Sequence, residues 1–250
     1  MKYKRVTYAL IPFAVVGLLL FIAYFGNQWY AEATGVIGSD LSVIFLKFNQ
    51  WVPFVPWTVY IYVIAYPFWI LSFFYIAYHS KKGMYTIMVL VLITFTVCGL
   101  WYFFAQTDVQ GWRETSGLFA RDPLTFNFTE KLVWMIYHSA GPRNANPSMH
   151  CLMSWLCIIG ARIVKDMPKI GKIIIWILAI AICVSTQTMK QHYIIDLITG
   201  IILGEATYWV VYKSRLVTWV DRFFTRINRK LNLDWDESKD NDSPISSSKE

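Results

Sequence analysis

Charged residues are scarce in this sequence. Aspartate, glutamate, lysine and arginine make up only 16% of its 250 residues, whereas hydrophobic residues make up 56% and aromatic residues 18%. Soluble domains carry about 25% charged residues, so this composition argues against one or two soluble domains and favours a membrane protein. Cysteine is scarce too. The four cysteines lie in apolar stretches without C-x-x-C spacing, which argues against a disulfide framework and a zinc site.

Long hydrophobic runs dominate what is present. Each is close to the roughly 20 residues that span the hydrocarbon of a bilayer. The runs cover residues 6–25, 55–78, 84–105, 147–164, 173–189 and 193–212. They predict an all-α polytopic membrane protein with six transmembrane helices. The first run is too long for a signal peptide and lacks a convincing cleavage site, which favours an uncleaved anchor.

The formal net charge of +7 could indicate a nucleic-acid-binding protein. The basic residues instead lie between the hydrophobic runs without forming a stripe, so we expect no nucleic-acid partner. Most of them fall on one side of a six-span topology, and the positive-inside rule then places both termini in the cytoplasm of a plasma-membrane protein. We expect four parts: a cytoplasmic N-terminus (1–5), the membrane domain (6–212) with an extracytoplasmic loop (106–146), a basic amphipathic cytoplasmic segment (213–233) and a disordered acidic tail (234–250).

The extracytoplasmic loop is long for a compact membrane domain, and such loops are commonly functional. Its helical pattern over 129–137, with Asn127 and Thr129 as candidate N-caps, predicts a short amphipathic helix on the outer surface.

Two polar clusters fall on the same predicted side of the membrane, at 141–150 and 185–196. His192 and Asp196 are four residues apart, so on a helix the carboxylate can accept the imidazole N–H and leave the other ring nitrogen free as a nucleophile or base. A polar pair that only ties two helices together is the alternative interpretation. Ionisable groups at membrane depth favour the functional one.

The first cluster can bind an anion. Pro147 suits a helix start, Ser148 can donate to a phosphate held at the helix N-terminus, and His150 can protonate a departing oxygen. A helix cap with an interfacial histidine is the alternative. Arg143 and Lys190 add the positive charge that a phosphoryl transition state requires.

These segments, Pro147-Ser148-Met149-His150 and Ser185-Thr186-x5-His192-x3-Asp196, resemble the P-S-G-H and S-R-x5-H-x3-D motifs of the type 2 phosphatidic acid phosphatase (PAP2) superfamily. The resemblance implies a PAP2-like bundle of six helices with short extracytoplasmic helices and the active site on the extracytoplasmic side. It implies that His192 attacks phosphorus, Asp196 orients it, His150 protonates the leaving group and Ser148 helps to hold the phosphate. It requires no metal or other cofactor.

The chain departs from the family pattern at three points. Met149 replaces a glycine, Thr186 replaces the arginine of the third motif, and no clean K-x6-R-P first motif is present. The sequence around Lys190 resembles the T-K-Q-H-Y motif of a bacterial branch, so we expect Lys190 to supply the missing charge. For the first motif, Arg121 and Arg113 are the nearest candidates, with Arg143 as a competitor. The predicted phosphate-binding set is Ser148, Lys190, Arg143 and Arg121.

The expected function is hydrolysis of a membrane lipid phosphate or diphosphate through a phosphohistidine; undecaprenyl diphosphate, phosphatidic acid and phosphatidylglycerophosphate are all compatible substrates. Transfer of a lipid headgroup to an alcohol, as in sphingomyelin and inositol-phosphorylceramide synthases, is a second possibility. A non-catalytic lipid-binding protein is a third, and a small-molecule transporter is less favoured because no repeat is visible. His79 and His138 are interpreted as residues outside the site, and the sequence does not predict an oligomeric state.

Overall fold

The computed structural model describes residues 4–235, and the described chain is predominantly helical. The α-helices are α1 (Lys4–Thr7), α2 (Leu10–Leu20), α3 (Asn27–Thr34), α4 (Leu46–Trp51), α5 (Val59–His79), α6 (Lys81–Phe104), α7 (Gln110–Glu114), α8 (Phe128–Ser139), α9 (Met149–Ile163), α10 (Lys169–Thr188), α11 (Ile194–Tyr212) and α12 (Leu216–Lys230). Two short strands, β1 (Ser39–Asp40) and β2 (Thr107–Asp108), pair in parallel. Short 3-10 turns cover Pro56–Thr58, Leu118–Ala120 and Pro123–Thr125.

Five helices within residues 4–235 are long and apolar enough to cross a membrane. They are Arg5–Thr34, Pro56–His79, Lys81–Phe104, Lys169–Thr188 and Ile194–Tyr212. The predicted sixth span forms α9, which has only 15 residues. At 1.5 Å per residue it is roughly 22 Å long, shorter than the ~30 Å hydrocarbon core. The prediction of six full spans is therefore not confirmed.

The short helix α9 lies inside the bundle. It packs against α5, α6, α10 and α11, and most of its residues are buried. A helix surrounded by other helices need not match the bilayer thickness, because its ends meet protein instead of lipid or water. Its polar start at Ser148 and His150 is likewise enclosed by protein.

The first helical span extends beyond the predicted one. After α2 the chain forms a π-helical segment at Phe21–Gly26 and continues as α3 to Thr34, where Gly35 adopts a left-handed conformation (φ 67°). Such a glycine commonly ends a helix. Asn27 is buried and donates to the carbonyls of Ala23 and Gly99, at 2.8 and 3.0 Å. In the sequence, polar residues such as Asn27 indicated a loop. The predicted helix therefore ended at residue 25, nine residues before the observed end at Thr34.

Contacts between distant segments define two ends of the bundle. At one end, called the basic end, Tyr8 donates to the Ala77 carbonyl at 2.9 Å, Asn228 donates to the Tyr8 carbonyl at 2.9 Å, and Lys81 pairs with Asp234 at 2.6 Å. These contacts join the N-terminus, the α5–α6 turn and the chain after α12, three segments that carry predicted cytoplasmic charges. Residues 236–250 of the predicted acidic tail lie outside the described residues.

The opposite end carries both polar clusters. There β1 and β2 pair, and the amide of Val55 donates to the Thr188 carbonyl at 3.0 Å. The predicted surface helix is confirmed as α8, which begins at an Asn127 capping box and packs Val133 and Tyr137 against the start of α5. The long loop is therefore folded and packs at the end of the bundle that carries the two polar clusters.

Candidate active site

Ser148 caps α9 at the centre of the site. Its hydroxyl oxygen accepts from the Cys151 amide at 3.3 Å, and its own amide donates to the Asp196 carbonyl at 3.0 Å. The hydroxyl hydrogen is left to donate, so capping and anion binding are compatible. Helix α11 approaches closely here because Gly200 has no side chain: a Cβ atom at that position would lie 2.9 Å from the Ser148 carbonyl oxygen.

The loop before α9 is fixed by the chain around β2. The Thr107 hydroxyl accepts from the amides of Ala145 and Asn146, at 3.2 and 2.8 Å. The Gln106 side-chain oxygen accepts from the Asn144 amide at 2.7 Å. These contacts, made across nearly forty residues of chain, set the direction of the Ala145 carbonyl.

His192 is oriented by that carbonyl and by Asp196. Its Nδ1 lies 3.0 Å from the Ala145 oxygen and 3.5 Å from Asp196 Oδ2. Both are acceptors, so Nδ1 carries the proton and Nε2 keeps its lone pair. No described residue hydrogen-bonds Nε2. The predicted pairing of residues 192 and 196 is therefore present, with a backbone carbonyl as an additional partner.

Asp196 is completely buried and held from three sides. Besides His192, it accepts from the Tyr193 amide at 2.8 Å, in a capping box at the start of α11, and from the Asn146 side chain at 3.0 Å. Asn146 also donates to Thr199 at 2.9 Å. Sequence reasoning missed Asn146, whose only signal was its position just before the second motif.

His150 is enclosed by aromatic rings of α5. Tyr62 stacks on it with ring centroids 4.3 Å apart, and Trp69 and Tyr66 meet it edge-on at 5.0 and 5.7 Å. Its Nδ1 lies 3.5 Å from the Tyr62 hydroxyl. Its Nε2 is buried without a hydrogen-bond partner among residues 4–235. The centroids of His150 and His192 are 6.3 Å apart, which brings the two predicted catalytic histidines to one site.

The three predicted basic ligands lie in different environments. Arg121 is exposed, pairs with Glu130 and lies over the Phe126 ring. It is thus directed to the surface of the outer loop, and the structure does not bring it to the histidines.

Lys190 lies in the turn before His192, but its ammonium group contacts the Val52 carbonyl and sits 3.5 Å from the centre of the Trp112 ring. Burial lowers the pKa of Lys190 to about 8. Its charge is near the site, while its N–H groups face away toward the loop before α5.

Arg143 is half-buried in the segment that carries Ala145, and its backbone bridges Asp108. Its Nε is buried without a hydrogen-bond partner in the described chain. Of the three predicted basic ligands, Arg143 is the one with a buried guanidinium N–H that has no partner among residues 4–235.

A family model described as the PAP2 superfamily matches residues 29–210. The chain belongs to the PAP2 superfamily. No curated protein and no solved structure matches the chain significantly. The family match covers both histidine-bearing segments and all the elements that position them.

A further basic residue, outside the predicted phosphate-binding set, is buried beside Gln191. Arg113 of α7 is only 2% exposed and donates to the Tyr137 carbonyl at 2.9 Å and to the Gln191 side-chain oxygen at 2.5 Å. Burial lowers the pKa of Arg113, and nearby tyrosines, including Tyr62, oppose that shift. The sequence offered Arg113 only as a first-motif candidate and did not include it in the binding set.

Several buried hydrogen-bonding groups on the segments that carry or position the two histidines have no partner in the described protein. They include Arg113 Nε, Arg143 Nε, His150 Nε2 and the Gln191 side-chain nitrogen. Buried polar groups are nearly always hydrogen-bonded in native proteins, and N–H groups near cationic side chains suit an oxyanion. The electrostatics of this site therefore fit an anionic group such as phosphate.

Thr186 occupies the position of the arginine in the family's third motif. Its side chain is completely buried and donates to the Cys183 carbonyl at 2.8 Å. Its own carbonyl accepts from the amides of Gln191 and His192, at 3.0 and 3.3 Å. In this chain the position closes the turn that presents His192.

Proposed function

We propose that the protein is a membrane phosphohydrolase that acts on a lipid phosphate or diphosphate through a phosphohistidine on His192. Membership of the PAP2 superfamily supports a phosphatase-type activity. The observation that carries the mechanism is the environment of His192: Ala145 and Asp196 hold Nδ1, so Nε2 is directed as a nucleophile. The lone pair on Nε2, which no described residue hydrogen-bonds, favours this role over a pair that only joins two helices.

The proposed reaction has two displacements at phosphorus. In the first, the Nε2 lone pair of His192 forms the N–P bond while the bond from phosphorus to the lipid oxygen breaks, and His150 gives that oxygen a proton. In the second, His150 accepts a proton from water, whose oxygen attacks phosphorus and releases the N–P bond. The two ring centroids are 6.3 Å apart, so both histidines are close enough to act on one phosphoryl group.

Phosphate charge is balanced by groups from three segments. We assign the Ser148 hydroxyl, the Nε–H groups of Arg113 and Arg143, and the Gln191 amide to its oxygens. Gln191 precedes His192 and holds Arg113, and the three nitrogens are buried without a partner in the described chain. Lys190 contributes its charge at longer range. Arg121 has no part in this assignment.

A hydrocarbon tail on the substrate has a matching surface. A groove of about 490 Å³ between α5 and α10 is lined by residues that include Pro67, Leu71, Ile174 and Leu178. Pro67 lies in the same turns of α5 as Tyr66 and Trp69, which touch His150. A lipid in the bilayer can thus place its tail beside α5 while its phosphate reaches the histidines. Undecaprenyl diphosphate, phosphatidic acid and phosphatidylglycerophosphate all have this form.

The decisive experiment is phosphate release from a panel of these three lipids, run with wild type, His192→Ala and His150→Ala. His192→Ala should abolish both turnover and a trapped phosphoenzyme. His150→Ala should slow lipid cleavage strongly but affect p-nitrophenyl phosphate much less, because nitrophenolate leaves without a proton. His138→Ala is the matched control, since that outer-end histidine contacts Trp134 and not the site. Equal activity of wild type and His192→Ala would refute the proposal.

We further propose that the site faces the extracytoplasmic side of the plasma membrane and that both termini are cytoplasmic. The contacts that gather the basic segments at one end, opposite the histidines, support this orientation. A cysteine placed at the exposed Leu124 should react with an impermeant thiol reagent in intact cells, whereas one placed at Lys213 should not. The reverse pattern would invert the topology.

A further inference from the structure

A second cavity lies at the basic end of the bundle, away from the histidines. Its volume is about 1000 Å³. It is enclosed by four helix ends: the start of α6, the end of α9, the end of α11 and the start of α12. The proposed phosphohydrolase mechanism uses none of these elements' cavity-lining side chains.

The cavity wall is cationic. Lys82, Arg162 and Lys165 line it, with Asp221 as the carboxylate among its lining residues. Arg162 is engaged by Glu205 in a two-pronged pair, each contact 2.9 Å long. Lys82 and Lys165 form no ion pair with any residue of the described chain. Two ammonium groups are therefore available to an anion at the mouth of the cavity.

The rest of the lining is typical of the membrane interface. Tyr208, Trp209 and Tyr212 contribute aromatic rings, and Val217 of α12 contributes an apolar side chain. Trp209 and Tyr212 are more than half exposed, at 56% and 68%. Tyrosine and tryptophan favour the headgroup level, where one part of the ring is apolar and the other is wet.

Helix α12 adds a surface that lies along the bilayer. Phe224 is buried against the bundle, while Trp219 and Phe223 remain exposed, at 63% and 58%. Its polar face carries several arginines, including Arg222 and Arg226. An amphipathic basic helix of this kind lies in the interface of an anionic leaflet, so the cavity at its start opens at the level of lipid headgroups.

We propose that this cavity is a binding site for an anionic phospholipid of the surrounding bilayer. The headgroup phosphate contacts Lys82 and Lys165, and the acyl chains lie against Trp209 and Tyr212. The occupant is a lipid and not a free anion, because exposed aromatic side chains flank the cations. The site is independent of the proposed hydrolysis and would remain if the histidines had another role.

The test uses full-length protein in a neutral detergent. Binding of phosphatidylglycerol, phosphatidylcholine and inorganic phosphate is measured by native mass spectrometry and by the shift in unfolding temperature. Phosphatidylglycerol should bind wild type most tightly. Lys82→Ala/Lys165→Ala should weaken that binding about 30-fold, the product of two membrane-surface lysine contributions. Lys169→Ala/Lys230→Ala removes the same charge from exposed positions outside the cavity and should have little effect.

A diazirine-bearing phosphatidylglycerol locates the bound molecule. Crosslinked peptides should come from the α6 start and the α11–α12 turn in wild type, and this labelling should be lost in Lys82→Ala/Lys165→Ala. Phosphate release from a soluble substrate should be unchanged in that variant. Equal weakening by both double variants, equal binding of phosphatidylcholine, an equal response to inorganic phosphate, or crosslinking elsewhere would each overturn the proposal.

Discussion

Replacement of Asp196 by asparagine tests how His192 is held. In serine proteases the triad aspartate fixes the histidine tautomer, and its replacement by asparagine lowers kcat about 10⁴-fold. In this protein the Ala145 carbonyl lies closer to Nδ1 than the carboxylate does, at 3.0 against 3.5 Å. The tautomer should therefore survive in Asp196→Asn, and only the charge interaction should be lost.

The magnitude follows from that geometry. A hydrogen bond to a charged group contributes about 1.5–3 kcal/mol, and each 1.36 kcal/mol changes a rate about tenfold. We expect kcat for phosphate release to fall about 10- to 150-fold, with little change in KM because Asp196 is not placed against substrate. The assay is phosphate release at saturating lipid, combined with the single-turnover rate of phosphoenzyme formation.

Folding must be separated from chemistry, because Asp196 also accepts from Asn146 at 3.0 Å. If an asparagine at 196 keeps its side-chain oxygen on the Tyr193 amide, its NH2 group faces the NH2 group of Asn146. Two hydrogen-bond donors then oppose each other. Asn146→Asp/Asp196→Asn restores a donor and an acceptor without returning the carboxylate to His192. This double variant should regain stability but not activity. A 10⁴-fold loss in a folded Asp196→Asn protein would show that Ala145 does not fix the tautomer, and an unchanged kcat would show that Asp196 does not assist attack.

The remaining predictions concern binding, titration and packing. Arg113→Lys should lower kcat/KM for lipid phosphate about tenfold or more because lysine lacks the guanidinium fork, whereas Arg121→Ala should stay within about twofold of wild type; the opposite ranking would restore Arg121 as the ligand. Burial lowers the pKa of Lys190 to about 8 in the folded protein, so above pH 8 the unfolded state binds more protons than the folded state. Stability should therefore increase with pH. The unfolding temperature should rise between pH 8 and 10 in wild type but not in Lys190→Met. Gly200→Ala should destabilise the protein by about 1–3 kcal/mol because a Cβ there would meet backbone at 2.9 Å, whereas Gly17→Ala, with no neighbour within 4 Å, should not; equal unfolding temperatures would refute the close approach.

Local signals predicted much of the architecture. Hydrophobic run length identified the long apolar helices. The candidate caps Asn127 and Thr129 indicated the start of α8, and the structure shows that Asn127 is the cap. The spacing of His192 and Asp196 correctly predicted that the two side chains meet. These features depend on residues close together in the chain, which is why one sequence was enough to predict them.

Other features depend on partners that are distant in the chain. The guanidinium group of Arg113 is held by hydrogen bonds to Tyr137 and Gln191, which are 24 and 78 residues away in the chain. No spacing rule links these residues. Arg121, which Asp122 and Pro123 follow, was a candidate for the first motif. In the structure it forms an ion pair with Glu130, nine residues later in the chain. The short length of α9 likewise reflects the helices around it. The unconfirmed sixth span and the surface position of Arg121 therefore have the same cause, which is tertiary contacts.

The departure at Thr186 can be understood from the same contacts. Thr186 uses its carbonyl to close the turn before His192 and buries its side chain completely, so an arginine there could reach phosphate only by displacing packed neighbours. The guanidinium group of Arg113, on the short helix α7 outside the motif, instead binds the side chain of Gln191, which precedes the proposed nucleophile His192. Gln191 thus links Arg113 to His192. Gln191→Ala should therefore affect phosphate binding as strongly as a change to Arg113 itself, although glutamine carries no charge.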